Sequence, residues 1–197
     1  MRKAGALAVL AAVCMVSACS GGESGRPTGS GRSGPPTVVA STDVWGSVAQ
    51  HVAGADARVS SIVSGPVDPH SFEPSPAAVA AVSDADLVVY NGGGYDPWVG
   101  DVLDQNSGVA SIEAFALLDP AAVGEPEPAN AHVFYELDTA KAVAGRIADA
   151  LAAADPPHAP AYRSRAADFG TRADAILAKE RALRDAFPGA AAVATEP

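Results

Sequence analysis

Apolar residues follow two alternating rhythms along the chain. Thr37 to Ser41 is a short β-branched run, and behind it Asp43 to His51 sets Val44, Val48 and Val52 at helical spacing. Arg58 to Val63 reads as a second strand, ending in the turn Ser64-Gly65-Pro66. Ser75-Pro76 opens an Ala/Val helix to about Ser83, with proline in the first turn, where a missing N–H breaks no helical bond. Leu87 to Tyr90 is an uninterrupted apolar run of the kind buried on both faces of a parallel sheet. Asn91-Gly92-Gly93-Gly94 breaks it, a helix follows from Pro97 to Gln105, and Val109 to Ile112 is the next strand. Strand and helix alternate, so the fold class is α/β with a mainly parallel sheet.

After Ile112 the rhythm changes. Asp119 to Ala131 is a Pro/Glu-rich loop and Asp138 to Ala153 a helix. Pro160 to Phe187 carries one long helical period through Tyr162, Ala166, Phe169, Ala173, Ile176, Leu177, Leu183 and Phe187. Pro188-Gly189 stops it, and Ala191 to Thr195 begins another strand two residues before Pro197. A strand starting there has little to pair with, so the chain is expected to be cut within a larger design.

Ahead of the folded part, Arg2 and Lys3 precede an apolar run from Ala4 to Val16, then Ser17, Ala18 and Cys19. That is a secretory signal, shorter than the roughly 20 apolar residues a membrane span needs. Val16-Ser17-Ala18-Cys19 resembles the bacterial lipobox, which implies Cys19 as a lipid anchor and residues 1–18 as the cleaved signal. Cys14 lies inside the discarded segment. Residues 19–36 are rich in Gly, Ser and Pro and read as a flexible tether.

Thirteen Lys and Arg stand against 23 Asp and Glu, a net charge of -10, and losing Arg2 and Lys3 with the signal takes it to -12. With no basic cluster beyond the first three residues, nucleic-acid binding is excluded as a class. Two cysteines build neither a disulfide framework nor a thiolate zinc site.

Histidine carries the candidate chemistry. His51 in a helix and His158 in a proline-rich turn have no ligand type at useful spacing and read as surface residues. His70 sits in Asp68-Pro69-His70-Ser71-Phe72-Glu73-Pro74-Ser75-Pro76, after a strand and before a helix, at the edge where α/β folds place their sites. Prolines restrict that backbone, so less ordering is left for metal binding. His132 sits in Asn130-Ala131-His132-Val133-Phe134-Tyr135, just ahead of a helix. Trp45 reads as core or pocket wall, and Trp98, behind the glycine turn, as a residue packed on the sheet.

Together these two loops resemble the metal-ligand loops of the zinc and manganese solute-binding lipoproteins of bacterial ABC transporters. The first is a nearly full match; in the second, Ala131 and Phe134 stand where that family commonly has Pro and Trp. The resemblance covers Thr37 to Pro197. It implies an N-terminal metal-binding lobe (37–158), a long inter-lobe helix (159–188) and the first strand of a truncated second lobe (189–197). It implies His70 and His132 as metal ligands, with Glu196 in Thr195-Glu196-Pro197 as the carboxylate form of the third. The transported ligand would be Zn²⁺ or Mn²⁺; the absence of histidine from 121–131, together with Glu196, leans towards manganese. The implied partners are an ABC permease and its ATPase subunit, and the protein would be a monomer on the outer face of the cell membrane, not an enzyme. Alternative readings are an adhesion lipoprotein of the same fold, a hydrolase using His70, His132 and Glu73 around a zinc-bound water, and a fragment inactive alone.

Overall fold

The computed structural model describes residues 34–119 and 130–190. The signal segment, Cys19, most of the tether, residues 120–129 and the closing strand with Glu196 lie outside them.

Four parallel strands form one sheet in the order β2-β1-β3-β4, with β1 at Thr37–Thr42, β2 at Arg58–Val63, β3 at Leu87–Tyr90 and β4 at Ser111–Glu113. Helices α1 (Asp43–Ala53), α2 (Pro76–Ser83) and α3 (Pro97–Gln105) connect them. Helices α4 (Leu137–Ala154) and α5 (Ala159–Ala186) follow. No helix among the described residues is long and apolar enough to cross a membrane.

Strand periodicity divides the core in two. Side chains alternate between sheet faces, so Val38, Ala40, Leu87 and Val89 join one cluster with Trp45, Val48, Val52, Val143, Ile147 and Tyr162. Val39 and Val88 join the other, under α2 and α3, with Val82, Trp98, Val99 and Val102. The result is a three-layer α/β/α arrangement.

Two local expectations shift. The fourth strand runs from Ser111 to Glu113 rather than from Val109, because the register with β3 pairs Val88 with Ser111 and Tyr90 with Glu113; Val109 packs on the second cluster instead. In α1 the inward position belongs to Trp45, which is fully buried, and Val44 is left 39% exposed.

Helix α4 buries one face, Thr139, Ala140, Val143, Ala144, Ile147, Ala148, Leu151 and Ala152. Helix α5 has 28 residues, about 42 Å of helix. Its first half packs through Tyr162, Ala166, Phe169 and Ala173, whereas Ile176, Leu183 and Phe187 further along are exposed. Arg165 fastens it, donating from Nε to the Val52 carbonyl at 2.7 Å and from Nη2 to the Ala53 carbonyl and Asp56 Oδ2, each at 2.8 Å. These carbonyls close α1, so the guanidinium serves acceptors that the helix cannot pair internally.

Candidate metal centre

In the order β2-β1-β3-β4 the chain leaves β1 towards one edge and later returns to β1's other side as β3. A crevice therefore opens beyond the carboxyl ends of β1 and β3, the switch point where such sheets bind ligands. It is a cleft of about 360 Å³ whose lining includes Thr42, Asp43, Val67, His70, Tyr95 and His132.

Short-range bonds build the first loop. Pro69–Ser71 is a single 3₁₀ turn with Asp68 as its N-cap. Asp68 Oδ1 accepts the His70 backbone N–H at 2.9 Å, and Oδ2 accepts the Ser71 hydroxyl at 3.0 Å. Proline ahead of the histidine fixes one backbone angle of the same turn. Phe72 then tucks against Trp98, with ring centroids 5.5 Å apart, and carries the chain towards α2.

The second loop presents His132 ahead of a 3₁₀ turn, Val133–Tyr135. Asn130 Oδ1 accepts the His132 backbone N–H at 2.9 Å and lies 2.6 Å from Nδ1. A carbonyl oxygen only accepts, so Nδ1 carries a proton, and in the neutral ring the lone pair is then on Nε2. An acceptor on the inner nitrogen is what metal-binding histidines require to fix tautomer and ring direction.

The two imidazoles meet in the cleft with ring centroids 5.6 Å apart and planes at 64°. A zinc ion about 2.0–2.1 Å from one nitrogen of each ring would hold the centroids roughly 5 Å apart, so the spacing suits shared coordination. Tyr95 backs both rings, 4.6 Å from His70 and 5.4 Å from His132. Phe134 packs on Tyr95 at 5.4 Å and on His132 at 5.8 Å. Just below, at the end of β3, burial and the neighbouring Glu113 carboxylate push the Tyr90 phenol up to about 12, its hydroxyl donating to Glu113 at 3.3 Å.

The fold thus brings His70 and His132 together, while Glu196 and Cys19 lie outside the described residues. Glu73 does not join the pair. It is exposed beyond Phe72, whose packing under Trp98 draws the chain away from the cleft. Among the described residues no three His, Cys, Asp or Glu side chains stand close enough to hold a metal. Of the other two histidines, His158 is exposed, as the sequence suggested, whereas His51 is half-buried against α5. His51 Nε2 lies 3.2 Å from Asp168 Oδ2, outside hydrogen-bond alignment, with its ring 5.7 Å from Phe169. His158 Nδ1 lies 2.7 Å from Asp155 Oδ2. Asn130 as tautomer setter had no assigned role in the sequence; an Asn two residues before a candidate ligand was the available signal.

Comparison with known proteins gives a consistent picture. The model of the family described as zinc-uptake complex component A, periplasmic, matches residues 38–197. The manganese-binding lipoprotein MntA of Halalkalibacterium halodurans is 28% identical over 159 residues, covering 80% of this chain and 52% of that protein. The manganese ABC transporter substrate-binding lipoprotein PsaA of Streptococcus pneumoniae is 29% identical over 188 residues, covering 89% of this chain and 59% of that one. Among solved structures, the Zn(II)-bound ZnuA-like domain of Streptococcus pneumoniae AdcA superposes with a TM-score of 0.62 at 26% identity, covering 72% of this chain and 53% of that chain. The chain spans little more than half the length of the relatives it matches.

Proposed function

The chain belongs to the periplasmic zinc-uptake complex component A family, and on that premise we propose that it supplies the N-terminal metal-binding lobe of an extracytoplasmic solute-binding lipoprotein. Its cargo is a divalent transition metal, Zn²⁺ or Mn²⁺, held by His70 and His132 and handed to an ABC permease driven by its ATPase subunit. Glu196 is the proposed third ligand and Cys19 the lipid anchor holding a monomeric receptor on the outer face of the membrane. Residues 19–36 serve as tether, 37–158 as the lobe, 159–188 as the inter-lobe helix and 189–197 as the opening of a second lobe. The role is binding and delivery, without turnover.

One observation carries this reading: the two histidines share a cleft at the sheet's switch point with centroids 5.6 Å apart. Two imidazoles with one carboxylate suit Zn²⁺ in tetrahedral geometry, and also Mn²⁺ when further oxygens join. Relatives named for manganese and a Zn(II)-bound neighbour support the same pair of metals.

The test is a Zn²⁺ and Mn²⁺ titration of the full 197-residue chain beside His70→Ala and His132→Ala. Each substitution removes one ligand and should weaken the preferred metal by at least about tenfold, since even losing an outer-shell partner costs that much. An unchanged isotherm in a folded His70→Ala chain would sink the assignment.

A further inference from the structure

Asn91 closes β3 and is fully buried. Its side chain engages at both ends: Oδ1 accepts the Trp45 indole N–H at 3.1 Å, while Nδ2 donates to the Ala131 carbonyl at 2.7 Å and to the Gly92 carbonyl at 3.1 Å. The amide has one possible orientation, because an indole N–H only donates and a backbone carbonyl only accepts. Its backbone is held as firmly. Asp96, itself buried, accepts the N–H groups of Asn91 and Gly92 on its two oxygens, both at 2.8 Å, and the Asn91 carbonyl accepts the Phe115 N–H at 2.8 Å. Only glycine suits the exit that follows: Gly92 and Gly93 have φ of +74° and +59°, and a Cβ on either would strike Glu113 or Phe115.

The peptide joining Ala131 to His132 is planar, and it is gripped on both edges. Asn91 Nδ2 and the Val133 N–H both donate to its carbonyl oxygen, at 2.7 Å and 2.8 Å, and Asn130 Oδ1 holds its N–H. A plane fixed at both edges leaves His132 little freedom in the direction of its Cα–Cβ bond. The His70 turn is closed in the same local way, by Asp68 two residues away; what the His132 loop has besides is the bond from Asn91, 40 residues earlier in the chain.

Building on the metal-binding reading above, we propose that Asn91 is the positioning residue of the site: through the Ala131 carbonyl it fixes the peptide plane that aims His132, so this ligand is set before metal arrives. Trp45 and Asp96 hold Asn91 in turn, so the second ligand loop is anchored in the first core cluster.

The experiment compares two losses in the full chain, with Zn²⁺ as probe. Asn91→Asp keeps the size and the acceptor for Trp45 but faces the Ala131 carbonyl with an oxygen. Gly54→Ala strains the carboxyl end of α1, where Gly54 has φ of +60° and a Cβ would meet Arg165, and so reports what destabilisation alone does. Asn91→Asp should weaken zinc binding about 10–100-fold, the range for an outer-shell partner, with Gly54→Ala close to wild type. The ¹⁵N shifts of the His132 ring should move towards a tautomer mixture in Asn91→Asp and stay put in Gly54→Ala. Equal affinity losses in the two variants, or unmoved His132 shifts in a folded Asn91→Asp chain, overturn the proposal. Should Asn91→Asp not fold, the wild-type side-chain amide decides: slow exchange of the Asn91 Nδ2 protons is expected, and exchange as fast as an exposed asparagine's overturns it. If the wild-type chain takes up no zinc, the metal reading fails by itself, and the nitrogen shifts still judge Asn91.

Discussion

Asn130 offers a sharp test of the site's electrostatics. Its side-chain oxygen is the acceptor for two His132 donors, the backbone N–H at 2.9 Å and Nδ1 at 2.6 Å. Asn130→Ala removes both. The His132 backbone N–H is half-buried and would have to find water, a loss of about 1 kcal/mol in folding stability. The effect on metal should be larger and of a different kind. Without the Asn130 oxygen the ring proton is no longer confined to Nδ1 by that bond, so the neutral ring's lone pair is less firmly placed on Nε2 and the ring direction is less constrained. Outer-shell losses of this type weaken metal binding about 10–100-fold, equivalent to about 1.4–2.8 kcal/mol. Asn130→Asp is the counter-variant: it keeps an acceptor at the same reach and adds negative charge, so zinc should bind at least as tightly as in wild type. The assay is competition for Zn²⁺ against a chromophoric chelator at pH 7.5, with circular dichroism to confirm folding. A folded Asn130→Ala chain that competes as well as wild type would refute the claim that this hydrogen bond sets the binding tautomer.

Two further predictions concern the frame that carries the site. Gly54 closes α1 with φ of +60°, and a Cβ there would sit 2.8 Å from Arg165 Cζ; Gly54→Ala should therefore cost about 1–3 kcal/mol in urea unfolding, and a change within error would show that the Arg165 clamp is not tight. At alkaline pH, burial and Glu113 hold the Tyr90 phenol up to about 12, and burial with the Asp155 hydrogen bond raises Tyr162 above its ordinary value. The folded chain keeps these protons longer than the unfolded chain, whose tyrosines titrate near about 10, so stability present below that pH is lost as pH rises towards 12. Thermal melts at stepped pH should show that loss, reduced in Tyr162→Phe; a flat profile between pH 10 and 12 would contradict the burial of both phenols.

Much of the frame was legible because its causes are local. Leu87 to Tyr90 is apolar at every position, which only a strand covered on both faces tolerates, and Ser75-Pro76 starts α2 with a side-chain cap from Ser75 to the Ala78 N–H at 3.2 Å. Asp68-Pro69-His70-Ser71 folds within its own few residues, so its turn needed no knowledge of the rest of the chain. Where the pattern misled, a distant neighbour had decided. Val109 looked like a strand residue until β3 imposed its register, and Val44 kept helical spacing with Val48 and Val52 while Trp45 took the inward place. Asp168 beside His51 owes its position to the docking of α5, which no spacing along the chain announces.

The sequence by itself determined the α/β class, the parallel sheet and the two histidine loops, because hydrophobic period, proline restriction and short-range capping act over a few residues. Only the tertiary structure decided that the loops share one cleft, that Tyr95 lines it with Phe134 packed against Tyr95 and His132, and that Asn91 reaches from the end of β3 to the Ala131 carbonyl. Those contacts join segments far apart in the chain, and their geometry is set by sheet order and core packing rather than by anything either segment prefers alone.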